Sequence, residues 1–172
     1  MKSVEVNDLV VRFSLEVLAG KKYLNRPITK SKAYRPGLEF VGHFDFFPTE
    51  HVQVLGLKEI TYLHKLTEEE RNFHIGNIVK YHPPCFVVTR NLEGLKYLKK
   101  YCEQEGIPLL RTKAATNEFI GLLDAYLVKA LAPEIAVHGV CVNVSNIGIL
   151  LRGKSGIGKS ETAHTLIRRG HR

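Results

Sequence analysis

The sequence predicts an α/β fold in which an N-terminal domain precedes a strand, a phosphate-binding loop and a helix. Three observations support this prediction. Short apolar runs alternate with helically spaced apolar residues over residues 1–132, as in sheets covered by helices. A complete GxxxxGK pattern followed by Ser occupies residues 153–160. A β-branched apolar run precedes that pattern and a helical pattern follows it, so we place a second domain at residues 133–172.

The first third of the N-terminal domain contains signals for a helix, two strands and an aromatic-rich segment. Residues 4–20 predict a short helix followed by a strand at residues 15–18. Residues 34–56 are dense in Pro, Gly and aromatic side chains, and we expect those aromatics to pack in the core. The apolar run at residues 52–55 is typical of a buried strand.

The middle of the chain predicts a helix, a strand, a second helix and a second strand. The capping box at residues 67–70 begins the first helix. A buried strand is expected at residues 85–89 and another at 107–110. Between them a helix ending at Gly106 is predicted by the spacing of Leu92, Leu95, Leu98 and Tyr101. Because strand, helix and strand follow one another, we predict a largely parallel sheet with right-handed crossovers.

The last part of the chain predicts a long helix, a hairpin and a final helix. Thr116 is a possible cap for a helix that stops before Pro133 and bridges the two domains. Strands are expected at residues 135–144 and 147–151, joined by a turn. After the loop, the final helix is indicated by apolar side chains at helical spacing and a terminating glycine, namely Ala163, Leu166, Ile167 and Gly170.

The loop between that hairpin and that helix carries the strongest functional signal. Its glycines permit close approach of the backbone, so that successive amides converge on an anion at a helix N-terminus. We expect Lys159 to reach the β and γ phosphates and the Ser160 hydroxyl to bind Mg²⁺. A plain glycine-rich turn with a solvated lysine is the alternative. The predicted nucleotide-binding residues are Gly153, Lys154, Ser155, Gly156, Ile157, Gly158, Lys159 and Ser160.

Composition argues against several other classes of protein. The formal net charge is +8, but the basic residues are scattered, without a patch of interleaved aromatics, so no nucleic-acid partner is expected. We expect neither a membrane segment nor a signal peptide, and hence a cytoplasmic protein. The odd number and wide separation of Cys85, Cys102 and Cys141 indicate buried, reduced thiols and no metal site.

Two blocks of the sequence resemble the bacterial HPr kinase/phosphorylase family. One block runs from Arg35-Pro36-Gly37-Leu38-Glu39 to residues 52–56. The other contains His138-Gly139-Val140, the loop followed by Glu161-Thr162-Ala163, and Arg169-Gly170-His171-Arg172. The chain departs from the usual family pattern at Asn143 and at Ser145-Asn146, where an acidic residue and a Tyr-Gly turn are common.

The resemblance implies an activity and its partners. It implies Mg²⁺-dependent phosphorylation of a serine of HPr, the phosphocarrier of the sugar phosphotransferase system, from ATP or pyrophosphate, in carbon catabolite repression. It also implies phosphorolysis, in which inorganic phosphate attacks phosphoserine-HPr and yields pyrophosphate. A homohexamer is expected in the complete form, together with an N-terminal regulatory and assembly domain like those of Mur ligases. Residues 133–172 would then begin the P-loop kinase domain.

The resemblance also assigns active-site residues. His138 and Lys159 correspond to catalytic residues, residues 153–160 to the nucleotide-binding loop, and Ser160 to a magnesium ligand. The family's general-base aspartate and second magnesium carboxylate are expected beyond Arg172, so residues 1–172 alone are expected to be inactive. Two alternatives stay open: another P-loop NTPase or kinase with a different acceptor, and a non-catalytic phosphate-binding or assembly module.

Overall fold

The computed structural model describes residues 2–172, and the chain divides into two compact units. The first unit ends at Ala132 and the second begins at Pro133. Within the described residues, no helix combines the length and the apolar character that crossing a bilayer requires.

The first unit has an α/β architecture. Its regular elements are, in chain order, β1 (Val4–Glu5), α1 (Val6–Phe13), β2 (Glu16–Ala19), β3 (Pro27–Ile28), β4 (Ala33–Tyr34), β5 (Val52–Leu55), α2 (Leu57–Lys65), α3 (Glu68–Val79), β6 (Phe86–Val88), α4 (Lys96–Gln104), β7 (Leu109–Arg111) and α5 (Thr116–Leu131). Short 3₁₀ turns lie at Lys21–Tyr23 and Leu38–Val41.

The central sheet of this unit is mainly parallel, which confirms the predicted fold class. Its strand order is β2-β7-β6-β5-β4. Strands β4, β5, β6 and β7 are parallel, and β2 pairs antiparallel with β7 at one edge. A separate antiparallel ribbon joins β1 and β3. The four parallel strands therefore all end at the same edge of the sheet.

The core fills both faces of that sheet. Successive side chains of a strand point to opposite faces, so Leu55, Phe86 and Leu109 face one cluster, where apolar residues of α2, α3 and α4 cover them. Val54, Val87 and Leu110 face the opposite cluster, which α1 and α5 cover. Because both faces are covered, β5 and β6 are mostly apolar along their length rather than alternating, with the buried Gln53 as the polar exception.

The structure corrects three sequence-based expectations for the helices. The helix predicted from Leu92 begins only at Lys96, because Asn91 and Gly94 have positive φ and interrupt the helical backbone. Thr116 lies inside α5 and Ala115 occupies the cap position, since the Thr116 hydroxyl is hydrogen-bonded to the Thr89 hydroxyl at 2.8 Å. Helix α2 was not predicted.

Two expectations about burial are wrong for single residues. Cys85 and Cys102 are buried as expected, but Cys141 is exposed. Burial raises the pKa of Cys85 to about 12 and also raises that of Cys102. Phe40 and Phe47 pack in the core, whereas Phe46 is fully exposed at 101% and has a φ of 62°. The backbone turn at Phe46 therefore directs its ring away from the aromatic cluster.

The second unit is a hairpin followed by a helix. Strands β8 (Val140–Val144) and β9 (Ile147–Leu151) pair antiparallel, and α6 covers Lys159–Arg168. The strand predicted at residues 135–144 begins only at Val140. Val140 pairs with Leu151, the last residue of β9, so residues 135–139 extend past the end of their partner strand.

Candidate functional site

The glycine-rich loop connects the end of β9 to the start of α6. Two of its glycines adopt positive φ, Gly156 at 80° and Gly158 at 89°. Only glycine adopts such torsions without steric cost. Gly158 is the residue that caps α6, so the chain turns sharply into the helix at this point. The sequence pattern thus forms the strand, loop and helix that a phosphate loop requires.

Lys159 folds its side chain back over the loop. Its Nζ donates hydrogen bonds to the carbonyl of Gly153 at 2.9 Å and to that of Lys154 at 2.7 Å. An ammonium group has three donors, and these two bonds use two of them. The position of the charge is therefore set by the loop backbone, and one donor remains for an anion.

The first turn of α6 presents its amides to the loop. The first bond of the helix runs from the Thr162 amide to the Gly158 carbonyl at 2.9 Å. The amides of Lys159, Ser160 and Glu161 come before that bond and have no carbonyl within the helix to accept from them. With the positive end of the helix dipole they make this turn a suitable site for a phosphate group.

The Thr162 hydroxyl is a feature of the site that the sequence analysis did not use. It donates to the Gly158 carbonyl at 2.9 Å, the same oxygen that accepts from the Thr162 amide. This pair of bonds fixes the glycine that turns the chain into α6. A threonine four residues after the last loop glycine was the available sequence signal, because threonine in a helix commonly bonds the carbonyl at i−4.

Ser160 is the one predicted metal ligand, and its surroundings suit a Mg²⁺ ion held jointly by the protein, bound phosphates and waters. The side chain is exposed at the second residue of α6. No group of three or more His, Cys, Asp or Glu residues that could hold a metal occurs among residues 2–172. Mg²⁺ is commonly held by one or two protein oxygens, substrate phosphates and waters. The residues present fit that mode, with the Ser160 hydroxyl as the protein ligand.

His138 lies at the same end of the hairpin as the loop. It is exposed and lies two residues before β8. A Cβ built on the neighbouring Gly139 would lie 2.8 Å from the Leu151 carbonyl, so this segment runs against the end of β9. Since Val140 pairs with Leu151, continuing the register would set His138 opposite Gly153. The register of the hairpin thus brings His138 and the loop to one edge.

The hairpin also receives the end of the described chain. The Asn143 amide donates to the Arg172 carbonyl, and the Arg172 amide donates back to the Asn143 carbonyl at 3.0 Å. Such reciprocal bonds are those of a hydrogen-bonded antiparallel pair. Strand β9, which precedes α6, and Arg172, which follows it, therefore both pair with β8. These bonds hold the helix and the loop to the hairpin.

An α/β unit followed by a hairpin, a glycine-rich loop and a helix defines a P-loop protein. Comparison with family models makes the assignment more specific. Residues 4–127 match the HPr serine kinase N terminus, and residues 129–172 match the HPr serine kinase C-terminal domain. The chain therefore belongs to the HPr serine kinase family.

Individual relatives match along the whole chain. A protein of Oceanobacillus iheyensis named "Putative HPr kinase/phosphorylase 2" is 65% identical over 172 residues, which are 100% of this chain and 56% of the relative. The HPr kinase/phosphorylase of Limosilactobacillus reuteri is 42% identical over 99% of this chain and 53% of the relative. That of Bacillus licheniformis is 42% identical over 100% of this chain and 56% of the relative. The chain thus spans about half the length of these relatives.

Among solved structures, one match is the regulatory region of Clostridium perfringens pyrophosphatase, comprising its CBS and DRTGG domains with the activator diadenosine tetraphosphate. The match covers 75% of this chain and 47% of the pyrophosphatase chain, with a TM-score of 0.47 and 11% sequence identity.

Proposed function

We propose that this protein is a bifunctional HPr serine kinase and phosphorylase. In the forward direction it transfers a phosphoryl group from ATP or pyrophosphate to a serine of HPr. In the reverse direction inorganic phosphate attacks phosphoserine-HPr, which releases serine-HPr and pyrophosphate. The observation that carries the proposal is the P-loop between β9 and α6, in a chain of the HPr serine kinase family.

The loop suits phosphoryl transfer because such catalysis consists mainly of positioning and charge neutralisation. The Lys159 ammonium is already anchored by the Gly153 and Lys154 carbonyls, so little reorganisation is needed when phosphates bind. The amides at the start of α6 that lack a helical partner would donate to the oxygens of the phosphoryl group as it passes from donor to acceptor. Mg²⁺, when bound at Ser160, would neutralise further charge on the phosphates.

The same loop suits the reverse reaction. A cradle that holds the β and γ phosphates of ATP can also hold pyrophosphate, or hold phosphate in line with a phosphoserine. Phosphorolysis is the reverse of phosphorylation by pyrophosphate, so these two reactions pass through one transition state and use the same stabilising groups. We therefore assign both activities to residues 153–160, and we assign His138 to the same active site from its place at that edge of the hairpin.

We propose further partners and a setting for the complete protein. HPr is the macromolecular substrate, and ATP, pyrophosphate and phosphate are the small ones. We propose that the protein acts in the cytoplasm as a homo-oligomer, with a hexamer as the expected state. In this scheme the first unit serves regulation and assembly, and the second unit begins the catalytic domain.

The main test compares two lysine variants of the complete protein as its gene encodes it. With HPr, Mg²⁺ and ATP, we expect mass spectrometry to show one added phosphoryl group on a serine of HPr. Lys159→Ala should lower the rate by about 10²- to 10³-fold, the range for losing one preorganised charge-stabilising group. Lys100→Ala, an exposed position on α4, is the matched control and should leave the rate unchanged.

The outcomes of this test distinguish the three hypotheses for this protein. These are an HPr kinase/phosphorylase, another P-loop NTPase or kinase, and a non-catalytic phosphate-binding or assembly module. Unchanged phosphorylation by Lys159→Ala would contradict the mechanism. ATP hydrolysis without transfer to HPr would favour a P-loop NTPase with a different acceptor. Binding of pyrophosphate without turnover in the complete protein would favour a phosphate-binding module.

A second test addresses His138. Because the side chain is exposed, His138→Gln is expected to leave the free energy of unfolding unchanged. If the imidazole takes part in proton transfer, the variant should lose roughly 10²-fold in turnover, with a changed pH profile. A normal rate and pH profile would remove His138 from the proposed active site.

A further inference from the structure

A cavity in the first unit lies where its parallel strands end. It has a volume of about 460 Å³ and is lined by residues that follow each of the four parallel strands. Arg35 follows β4, Lys58 lies in the first turn of α2 after β5, Arg90 lies two residues after β6, and the segment 115–117 starts α5 after β7. Open α/β sheets bind ligands in the crevice outside the carboxyl ends of their strands.

The walls of this cavity are positively charged. Arg35, Lys58 and Arg90 all line it, and no lining residue is acidic. The Glu59 carboxylate is paired with one of these cations, since its Oε1 accepts from Arg35 at 2.8 Å. Among the ion pairs of residues 2–172, none includes Lys58 or Arg90. Three cations less one carboxylate leave a local charge of +2.

Two helix starts converge on the same cavity. A Cβ built on Gly56, the cap residue of α2, would lie 2.5 Å from the Thr116 Oγ1 at the start of α5. The glycine thus permits close packing of two N-termini whose dipoles both favour an anion. At the start of α2 the Glu59 carboxylate accepts from the Gly56 amide at 2.7 Å, whereas the start of α5 has no side-chain cap.

Side chains and backbone around the cavity are held in place, and one buried donor has no partner. The Thr89 hydroxyl is hydrogen-bonded to that of Thr116, which joins the end of β6 to α5. Arg90 has a φ of 59°, and its amide donates to the Ala114 carbonyl at 3.0 Å. Among the described residues, the buried Nε of Arg35 has no hydrogen-bond partner. That atom is enclosed by protein, so the cavity is lined by other atoms of the Arg35 side chain.

We propose that this cavity binds a small molecule through a phosphomonoester or diphosphate group. Three cationic side chains and two helix N-termini are the groups that recognise phosphate oxygens. The local charge of +2 matches the charge of a phosphate dianion. The volume is that of a small-molecule pocket, and the cavity is built entirely from first-unit residues. The P-loop belongs to the second unit, so the proposed ligand is additional to the one expected at residues 153–160.

The test uses ¹⁵N-labelled residues 1–172 and inorganic pyrophosphate as the probe. Amide NMR reports separately on the first-unit cavity and on the P-loop. A bulk binding measurement would give only their combined signal. At constant ionic strength we expect saturable shifts of the amides of Leu57, Lys58, Thr116 and Asn117. Lys159→Ala should leave these shifts unchanged while weakening those at residues 153–160. Sodium chloride in place of pyrophosphate should produce no saturable shift.

Paired variants test the role of the side chains. Lys58→Ala and Arg90→Ala remove exposed charges and should each weaken the first-unit affinity by about 10-fold, as expected for loss of a charge-assisted hydrogen bond. Lys65→Ala removes the same charge from the other end of α2 and should leave the affinity unchanged. Shifts confined to residues 153–160, or equal affinity in Lys58→Ala and Lys65→Ala, would overturn the proposal.

Discussion

The two units differ in what they do with apolar side chains. In the first, both faces of the sheet are filled by fully buried residues such as Phe86 and Phe119. In the second, as described over residues 133–172, the buried apolar side chains are Val142 and Ala163, whereas Ile147 and Ile157 are 66% and 67% exposed. Burial supplies most of the stabilisation of a fold, so the first unit has the stronger internal stabilisation and the second is chiefly a scaffold for its loop.

One helix of each unit shows a second difference, in how the helix begins. Helix α3 starts with a closed cap, in which the Thr67 hydroxyl accepts from the Glu70 amide and the Glu70 carboxylate accepts from the Thr67 amide. Helix α6 starts at Gly158, which has no side chain to occupy the amides of its first turn. A closed cap stabilises a helix, whereas an open start leaves donors available for a ligand.

The largest expected effect breaks the core of the first unit. Phe86→Ala should lower its free energy of unfolding by about 3–5 kcal/mol, because it leaves a cavity between β6 and the covering helices. Val142→Ala should cost only about 1–2 kcal/mol in the second unit, at roughly 0.8 kcal/mol for each buried methylene. Hydrogen exchange of β6 and β8 amides measures the two effects separately. Equal losses would contradict the difference in burial.

Thiol labelling tests the same difference in burial between the two units. The thiolate is the reactive form, and burial raises the pKa of Cys85 to about 12. Below that pH the Cys85 thiol stays protonated, so near pH 8 its thiolate fraction is roughly 10³-fold below that of an ordinary thiol with a pKa near 8.5. Exposed Cys141 should therefore be alkylated first, as peptide mass mapping would show. Cys85 labelling at the rate of Cys141 would show that the first unit opens readily.

A glycine substitution tests the packing of the two helix starts in the first unit. Gly56→Ala should cost about 1–3 kcal/mol, the range for overpacking, since the new Cβ meets the Thr116 hydroxyl at 2.5 Å. The control is Gly121→Ala in α5, where nothing lies within 4 Å of the added carbon. That change should stabilise the unit by about 0.5–1 kcal/mol. Urea unfolding measures both, and similar effects would refute the close approach at Gly56.

The smallest expected effect concerns the closed cap. Thr67→Ala removes the hydroxyl that accepts from the Glu70 amide and should cost about 1 kcal/mol of unfolding free energy. Thr67→Ser keeps an acceptor there and should retain most of that stability. If alanine and serine behave alike in urea unfolding, the cap does not contribute as described.

Local patterns in the sequence determined much of this protein. The loop at residues 153–160, the capping box at Thr67 and the strand at residues 52–55 each depend on neighbouring residues, and the structure contains all three elements. Strands confined to two or three residues, such as β1, β3 and β4, have too little length for a recognisable period, and they form because a partner strand is present. The extent of β8 likewise depends on where β9 ends.

Only the tertiary structure decided which distant residues meet. The Arg26 guanidinium donates to the carbonyls of His82, Pro83, Pro84 and Gly106, a set far from it in sequence. Arg35, Lys58 and Arg90 likewise share a cavity because four parallel strands end at one edge. Periodicity and motifs report contacts over a few residues, so the sequence alone determined the P-loop. The positive cavity exists through strand order, which is set by packing over the whole unit.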